Sequence, residues 1–402
     1  MKYIIILGDG MSDYPIAKLG GKTPLMAAHT PNIDLLTSKA KTGHFKTVPD
    51  DMPPGSEIAN MAVLGYDVKK VYQGRGVLEA ASMGVQIDDH DLAMRCNLIC
   101  IEDGKIKNHS AGHITSEESE ILIYDLNKEL SNEKYKFHPG VSYRHLFVLK
   151  EGNRNIKCTP PHDVPGTPFM DVMIKDTSKE GVQTAALLNE LVLESQKILE
   201  NHPINIKRKS EGKDPANSVW FWSPGNKPEM KTLKEQYGIT GAVISAVDLI
   251  YGIGAYAGMK AIKVPGSTGL YNTNYEGKAK AAVDALKEVD LVYLHIEASD
   301  EAGHEGDVDL KVKTIEYLDN RVVKYIMEET EVMDEDVAIA LLPDHPTPCA
   351  LRTHTHDAVP FIIYRPGEEG DVVQEYNEES VKEGYYCTIK GDSFIKSLIG
   401  IS

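Results

Sequence analysis

The chain has 402 residues, 42% of them hydrophobic and 26% charged, with a formal net charge of -17. That length predicts two domains rather than one core. The acidic balance excludes a nucleic-acid footprint, although a local Arg/Lys pocket can still take a small anion.

In chain order, "MKYIIILGDGM" opens with an apolar run too short for a signal peptide or a membrane span, and no later stretch approaches membrane-spanning length. It reads as a buried strand ending in Asp9. "DDMPPGSEIANMAVLGYD" (Asp51 to Asp67) places Ser56 at a helix start, where Ser caps well. From about Gly76 to Gly225 the apolar runs shorten and turns become denser, as in "RCNLICIEDGKIKNHSAGH", "YRHLFVLKEGN" and "SVWFWSPGN". One long helix is predicted there, from Thr184 to Asn201. This middle part reads as an α+β domain (77–225) inserted into a discontinuous one (1–76 and 226–402). Tyr72 to Gly84 is the predicted hinge and Ser223 to Met230 the return. "GIGAYAGM" and "VPGSTG" miss the dinucleotide and phosphate-loop spacings and read as turns.

Further on, "VDLVYLHIEASD", "DVAIALLPDH" and "VPFIIYRPG" are continuous apolar runs that suit parallel strands covered on both faces. Helical patterns at 279–289 and 309–330 alternate with them, which predicts an α/β sheet. The acidic stretch from Gly367 to Gly384 reads as solvated surface. The five cysteines, Cys96, Cys100, Cys158, Cys349 and Cys387, contain no C-x-x-C pair. A disulfide framework and a zinc knuckle are therefore not expected, and a reducing cytoplasm is.

Polar groups cluster where these runs end. Asp9 follows the first strand, Asp300 the second-named, and Asp344 and His345 the third; His354 and His356 lie just before the last. In open parallel sheets functional groups gather beyond the carboxyl ends of strands. His304 sits four residues after Asp300, so one helical turn can aim both at one ion. Aspartates and histidines without cysteine suit manganese or zinc better than calcium. His354 is the preferred loop ligand; His356 is left as an outer partner or an exposed residue. With a metal nearby, Ser56 changes from a cap to a candidate phosphate-accepting nucleophile.

Asp9 in "LGDGM", Ser56 in "PPGSEIANMAVLGYD", "SDEAGH", "LPDHPTPC" and "LRTHTHDAVP" together resemble the cofactor-independent phosphoglycerate mutases. The match is to their archaeal-type branch, within the alkaline phosphatase superfamily. It spans the whole chain, through "YQGRGVLEA", "YRHLFVL", "TPPHDVPGTP" and "KRKSEGKDPANSVWFW". The resemblance implies an alkaline-phosphatase-like, mostly parallel sheet flanked by helices. It also implies two divalent ions, manganese or zinc with magnesium as a further option, and no 2,3-bisphosphoglycerate. Asp300, His304 and His354 would hold one ion; Asp9, Ser56, Asp344 and His345 the other. Ser56 would carry the phosphoryl group between the hydroxyls of a phosphoglycerate. The inserted domain would supply Arg208 and Arg144 as anion holders, and Asp163 with His162 for proton transfer. His113, in "NHSAGHITSEES", stands where many archaeal-type members carry Arg. That departure makes homoserine, the substrate proposed for a related sub-branch, a rival to phosphoglycerate. The large insert argues against a plain hydrolase, which has no half-product to retain. The oligomeric state is left open.

Overall fold

The computed structural model describes residues 1–401. They form two compact units: Met1–Tyr72 with the chain from Glu229 onward, and Gln73–Pro228. The first boundary therefore falls before the helix Arg75–Ser82, not inside it as a break at 76 would require.

The first unit is built on an eight-stranded sheet. Its spatial order is Lys260–Ile262, Gly241–Ile244, Leu291–Ile296, Lys2–Gly8, Val337–Leu342, Val359–Tyr364, Lys41–Lys46 and Thr388–Lys390. Ile4, Ile5, Ile6 and Leu7 are all fully buried, because helices cover both faces and no alternation is needed. One face packs Ile4 and Ile6 with Val292, Leu294, Ile339 and Leu341 against the helices Tyr275–Ala285 and Val308–Leu318.

Val359–Tyr364 departs from the parallel expectation, pairing antiparallel with both Val337–Leu342 and Lys41–Lys46. No helical crossover joins it to the preceding strand, so the chain re-enters from the edge it has just left. This reversal puts His354, just before the strand, at the same sheet edge as Asp344, just after the previous one.

The predicted 309–330 helix is interrupted by a π turn at Asp319–Val323. Its buried Asp319 accepts from Ile33 N (2.7 Å) and Asn32 Nδ2 (2.6 Å), so the insertion aims a carboxylate at the Pro31–Thr37 helix. "GIGAYAGM" is not a turn at its start: Gly252 and Gly254 lie within the helix Asp248–Tyr256. A Cβ at Gly254 would stand 2.6 Å from Val243 Cγ1, so that glycine serves helix–strand packing. The acidic stretch is only partly solvated. Glu378 is half-buried and accepts from Asp13 N (3.1 Å) and Thr23 Oγ1 (2.7 Å).

The second unit holds a five-stranded antiparallel sheet. Leu92–Glu102 is its longest strand, flanked by Arg144–Leu149 and Ser218–Gly225. One face carries Met94, Cys96 and Phe147 into a core with the helices Ser116–Leu130 and Val182–Leu199. Period-two alternation sends Arg95 and Asn97 to the other face. No helix among the described residues is long and apolar enough to cross a membrane.

Candidate active site

In the first unit the carboxyl edge of the sheet gathers the acidic and histidine ligands. Asp300 and His304 share one turn of the helix Ala298–Glu305. Asp300 Oδ2 lies 3.2 Å from His304 Nε2, and Asp300 Oδ1 lies 3.5 Å from His354 Nε2. The two histidine nitrogens are themselves 2.9 Å apart, aimed at one point. His304 Nδ1 is held 3.0 Å from Arg352 O. The bond to Asp300 raises His304 to about 9, and burial of the ring opposes this only in part.

A second cluster lies deeper. Asp9, Asp344 and His345 are at most 2% exposed. Asp344 Oδ1 accepts from Gly10 N (3.2 Å) and His345 N (2.9 Å), and Oδ2 accepts from Asn60 Nδ2 (2.8 Å). Asp9 Oδ2 lies 3.0 Å from His295 Nε2, while its Oδ1 is buried with no hydrogen-bond partner. Burial, followed by the charges of Asp344, Asp300 and Glu297, pushes the Asp9 carboxyl well above its usual range. A cation would remove that penalty. A bare buried carboxylate oxygen, two convergent histidine nitrogens and three neighbouring aspartates fit divalent metal. The ligand atoms of Asp300, His304 and His354, and those of Asp9, Asp300 and His345, each lie within 4.8 Å of one another. Gly10 lets the two clusters close up: at its φ of +62°, a Cβ would stand 2.6 Å from Asp300 Oδ1.

Ser56 is the first residue of the helix Ser56–Val63, and Gly55 occupies the cap position. Its hydroxyl makes no cap bond, contrary to the capping expectation; Oγ lies 3.1 Å from His345 Nε2. The other two nearby groups are supports. Asn60, one turn on, donates to Ser56 O (2.8 Å) and Asp344 Oδ2 and accepts from Tyr293 Oη. Thr347 donates to Asp300 Oδ1. His356 staples the loop before Ser56, its Nε2 2.7 Å from Met52 O.

The second unit contains the other predicted groups. Arg208 is 2% exposed, and each of its three side-chain nitrogens donates within the unit. Nε donates to Asp214 O (2.9 Å), one terminal nitrogen to Ala111 O (2.6 Å) and the other to Glu118. These bonds make Arg208 a pin for the loop that carries His113. Arg144 is exposed, its guanidinium 5.8 Å from the Tyr143 ring centre. His162 and Asp163 are exposed on a short turn, 3.6 Å apart, with the His162 ring edge-on to Trp222 at 5.1 Å. His113 is exposed with φ +53° and lies edge-on to Tyr143 at 6.4 Å.

Sequence reasoning missed Arg75, Arg95 and His109 on this face. Arg95 lies 4.2 Å over Trp222 and 3.1 Å from Glu79. Nε of Arg75 and of Arg95 are buried without a hydrogen-bond partner. Burial, with Arg75 and Arg144 nearby, pulls the Arg95 guanidinium below its usual value even though Glu79 opposes this. His109 stacks edge-on with both Tyr143 and His162. Guanidiniums beside aromatic rings, with Glu79 the acidic partner of Arg95, are chemistry that suits an anion. In the first unit His295, Asn60 and Thr347 were also missed. A polar residue inside "LVYLHI", and an amide four residues after Ser56, were the available signals.

A family model described as 2,3-bisphosphoglycerate-independent phosphoglycerate mutase matches residues 37–205. The 2,3-bisphosphoglycerate-independent phosphoglycerate mutase of Methanosarcina acetivorans is 51% identical over 403 aligned residues, covering 100% of both chains. A solved Pyrococcus horikoshii protein superposes with a TM-score of 0.84 at 30% identity, covering 99% of this chain and 96% of that one. The cofactor-independent phosphoglycerate mutase of Thermoplasma acidophilum superposes with a TM-score of 0.71 at 28% identity, covering 100% and 99%.

Proposed function

The chain belongs to the 2,3-bisphosphoglycerate-independent phosphoglycerate mutase family, and we propose that it interconverts 3-phosphoglycerate and 2-phosphoglycerate through a phosphoserine at Ser56. The observation that carries this reading is the Ser56 hydroxyl, free of any cap bond and 3.1 Å from His345 Nε2 beside the ligand clusters.

We assign Asp300, His304 and His354 to one divalent ion, and Asp9, Ser56, Asp344 and His345 to the other. The mixed oxygen and nitrogen donors favour manganese or zinc. Bound ions would supply positive charge that stabilises the attacking and leaving oxygens of an in-line displacement. Ser56 Oγ gives up its proton and forms the bond to phosphorus as the bond to one glycerate oxygen breaks, and that oxygen takes up a proton. In the return step the neighbouring glycerate hydroxyl loses its proton and attacks phosphorus, the bond to Ser56 Oγ breaks, and Oγ regains a proton. The helix N-terminus at Ser56 favours the anion that arrives there. Because the enzyme itself carries the phosphoryl group between the two positions, 2,3-bisphosphoglycerate is not required.

Arg144, with Arg75 and Arg95, is assigned the substrate's negative charge, and His162 and Asp163 the proton on glycerate oxygen. His113 joins that face as a neutral or cationic contact in place of a fixed positive charge. The homoserine reading that His113 raised is not favoured, since the relative with 51% identity over the whole chain is named as a mutase. The unpaired cysteines fit a reducing cytoplasm.

The test is a side-by-side assay with manganese. One arm follows 3-phosphoglycerate to 2-phosphoglycerate without 2,3-bisphosphoglycerate; the other follows phosphate transfer from ATP to homoserine. Turnover is expected in the first arm only. Turnover confined to the second would overturn the mutase reading.

A further inference from the structure

His295 is fully buried on the strand beside that of Asp9, with His295 opposite Leu7 and Ile296 opposite Gly8. Both its ring nitrogens are occupied. Nδ1 lies 3.2 Å from Ser245 Oγ and Nε2 lies 3.0 Å from Asp9 Oδ2. Ser245 is 1% exposed, and its oxygen already accepts from Val247 N at 3.0 Å.

Proton accounting then decides the tautomer. The acceptor within reach of the Ser245 hydroxyl proton is His295 Nδ1. If Nδ1 carried a proton, the Ser245 hydroxyl would be left buried without an acceptor, at a real cost. So Ser245 donates to Nδ1, and Nε2 carries the ring proton and donates to Asp9 Oδ2. This saturates Oδ2 toward the ring and leaves Oδ1, the orphaned atom, as the one free for a ligand role.

We propose that His295 is a positioning residue for the metal site, fixed in one tautomer by Ser245 so that it orients Asp9 with Oδ1 free to bind a cation. The alternative is that His295 is itself a ligand, since its ring clusters with Asp9 and Asp344 within 4.8 Å. That would require a bare Nε2 and the opposite tautomer. The proposal rests on the assignment of Asp9 as a metal ligand, but not on the substrate.

The experiment titrates chelator-stripped full-length protein with Mn2+ alone, read by electron paramagnetic resonance and calorimetry, with no substrate present. Wild type is compared with His295→Leu, which removes the donor, and His295→Gln, which can keep one. His295→Leu is expected to weaken one Mn2+ site by about 10- to 100-fold and leave the other unchanged, with His295→Gln recovering most of the loss. In parallel, 15N-histidine NMR of the stripped wild type should find His295 protonated at Nε2. Two unchanged Mn2+ affinities in His295→Leu, a glutamine variant as poor as the leucine one, or a proton on Nδ1 would each overturn the proposal. The NMR arm decides even if His295→Leu does not fold. Wild type that binds two Mn2+ but fails the mutase assay would sink the proposed substrate and leave this relay standing.

Discussion

Ser56 Oγ lies 3.1 Å from His345 Nε2, and Ser56 gives no hydrogen bond to its own helix. The hydroxyl therefore does not cap the helix it begins, and its hydrogen-bond contact is with His345. Ser56→Ala is expected to lower turnover by at least about 10^3-fold, as loss of a nucleophile does. The melting temperature should barely move, because no cap of about 1 kcal/mol is lost. Phosphoglycerate assays and a thermal melt of the same preparation check both halves. A variant that keeps a tenth of wild-type turnover would remove Ser56 as phosphoryl carrier.

The metal-free protein should bind Mn2+ with release of a proton. His304 is raised to about 9 by its bond to Asp300, so at pH 8 it holds a proton that a ligand nitrogen cannot keep. A raised pKa means that the proton contributes stability below the ordinary value of about 6.5, and that this contribution is lost as pH rises through about 9. Metal affinity runs the other way, tightening as pH climbs toward 9. Calorimetry at pH 8 in two buffers of different ionisation enthalpy should find about one proton released from this histidine, falling toward none by about pH 10. No proton release at pH 8 would mean that His304 is not displaced by the ion.

What could be read in the sequence depended on periodicity and on strand ends. Ile4 to Leu7 and Val337 to Leu342 announce buried strands by composition alone, and Asp9, Asp300, Asp344 and His345 stand directly after such runs. The reversal of Val359–Tyr364 was not legible, because a continuous apolar run carries no direction; pairing and connection length decide it. The partners of Arg208 were hidden for a related reason. Its motif marks it as important, but only the fold reveals that its nitrogens meet Glu118, Ala111 O and Asp214 O. His295 and Asn60 were hidden inside apolar patterns, where a polar residue gains its meaning from a partner hundreds of positions away in the chain.

Asn60 joins three parts of the site, binding Ser56 O, Asp344 Oδ2 and Tyr293 Oη from a fully buried amide. Asn60→Leu keeps the volume and strands all three partners. Each buried unsatisfied group costs about 1–3 kcal/mol, so a loss of about 3 kcal/mol in unfolding free energy is expected. Tyr293→Phe removes one bond and should cost about 1 kcal/mol. Denaturant melts measure the stability change, and kcat should fall further for Asn60→Leu than for Tyr293→Phe. Equal effects of the two changes would show that the amide does not couple Ser56 to Asp344.

Arginines in the second unit should separate into two behaviours. Arg208 is buried on Glu118 and two backbone carbonyls, so Arg208→Met breaks a buried pair and leaves acceptors unpaired. The expected cost is about 3 kcal/mol of stability in that unit. Folded Arg208→Met protein should keep its KM within about twofold, since in the wild type the guanidinium is buried and each of its nitrogens already has a partner within the unit. Arg144 is exposed, and Arg95 is compensated only by Glu79. Arg144→Ala should leave the melt unchanged and raise KM for phosphoglycerate by about 10-fold or more, the loss of one charge-assisted contact. A raised KM in Arg208→Met with an unaltered melt would reverse this assignment and return Arg208 to the substrate.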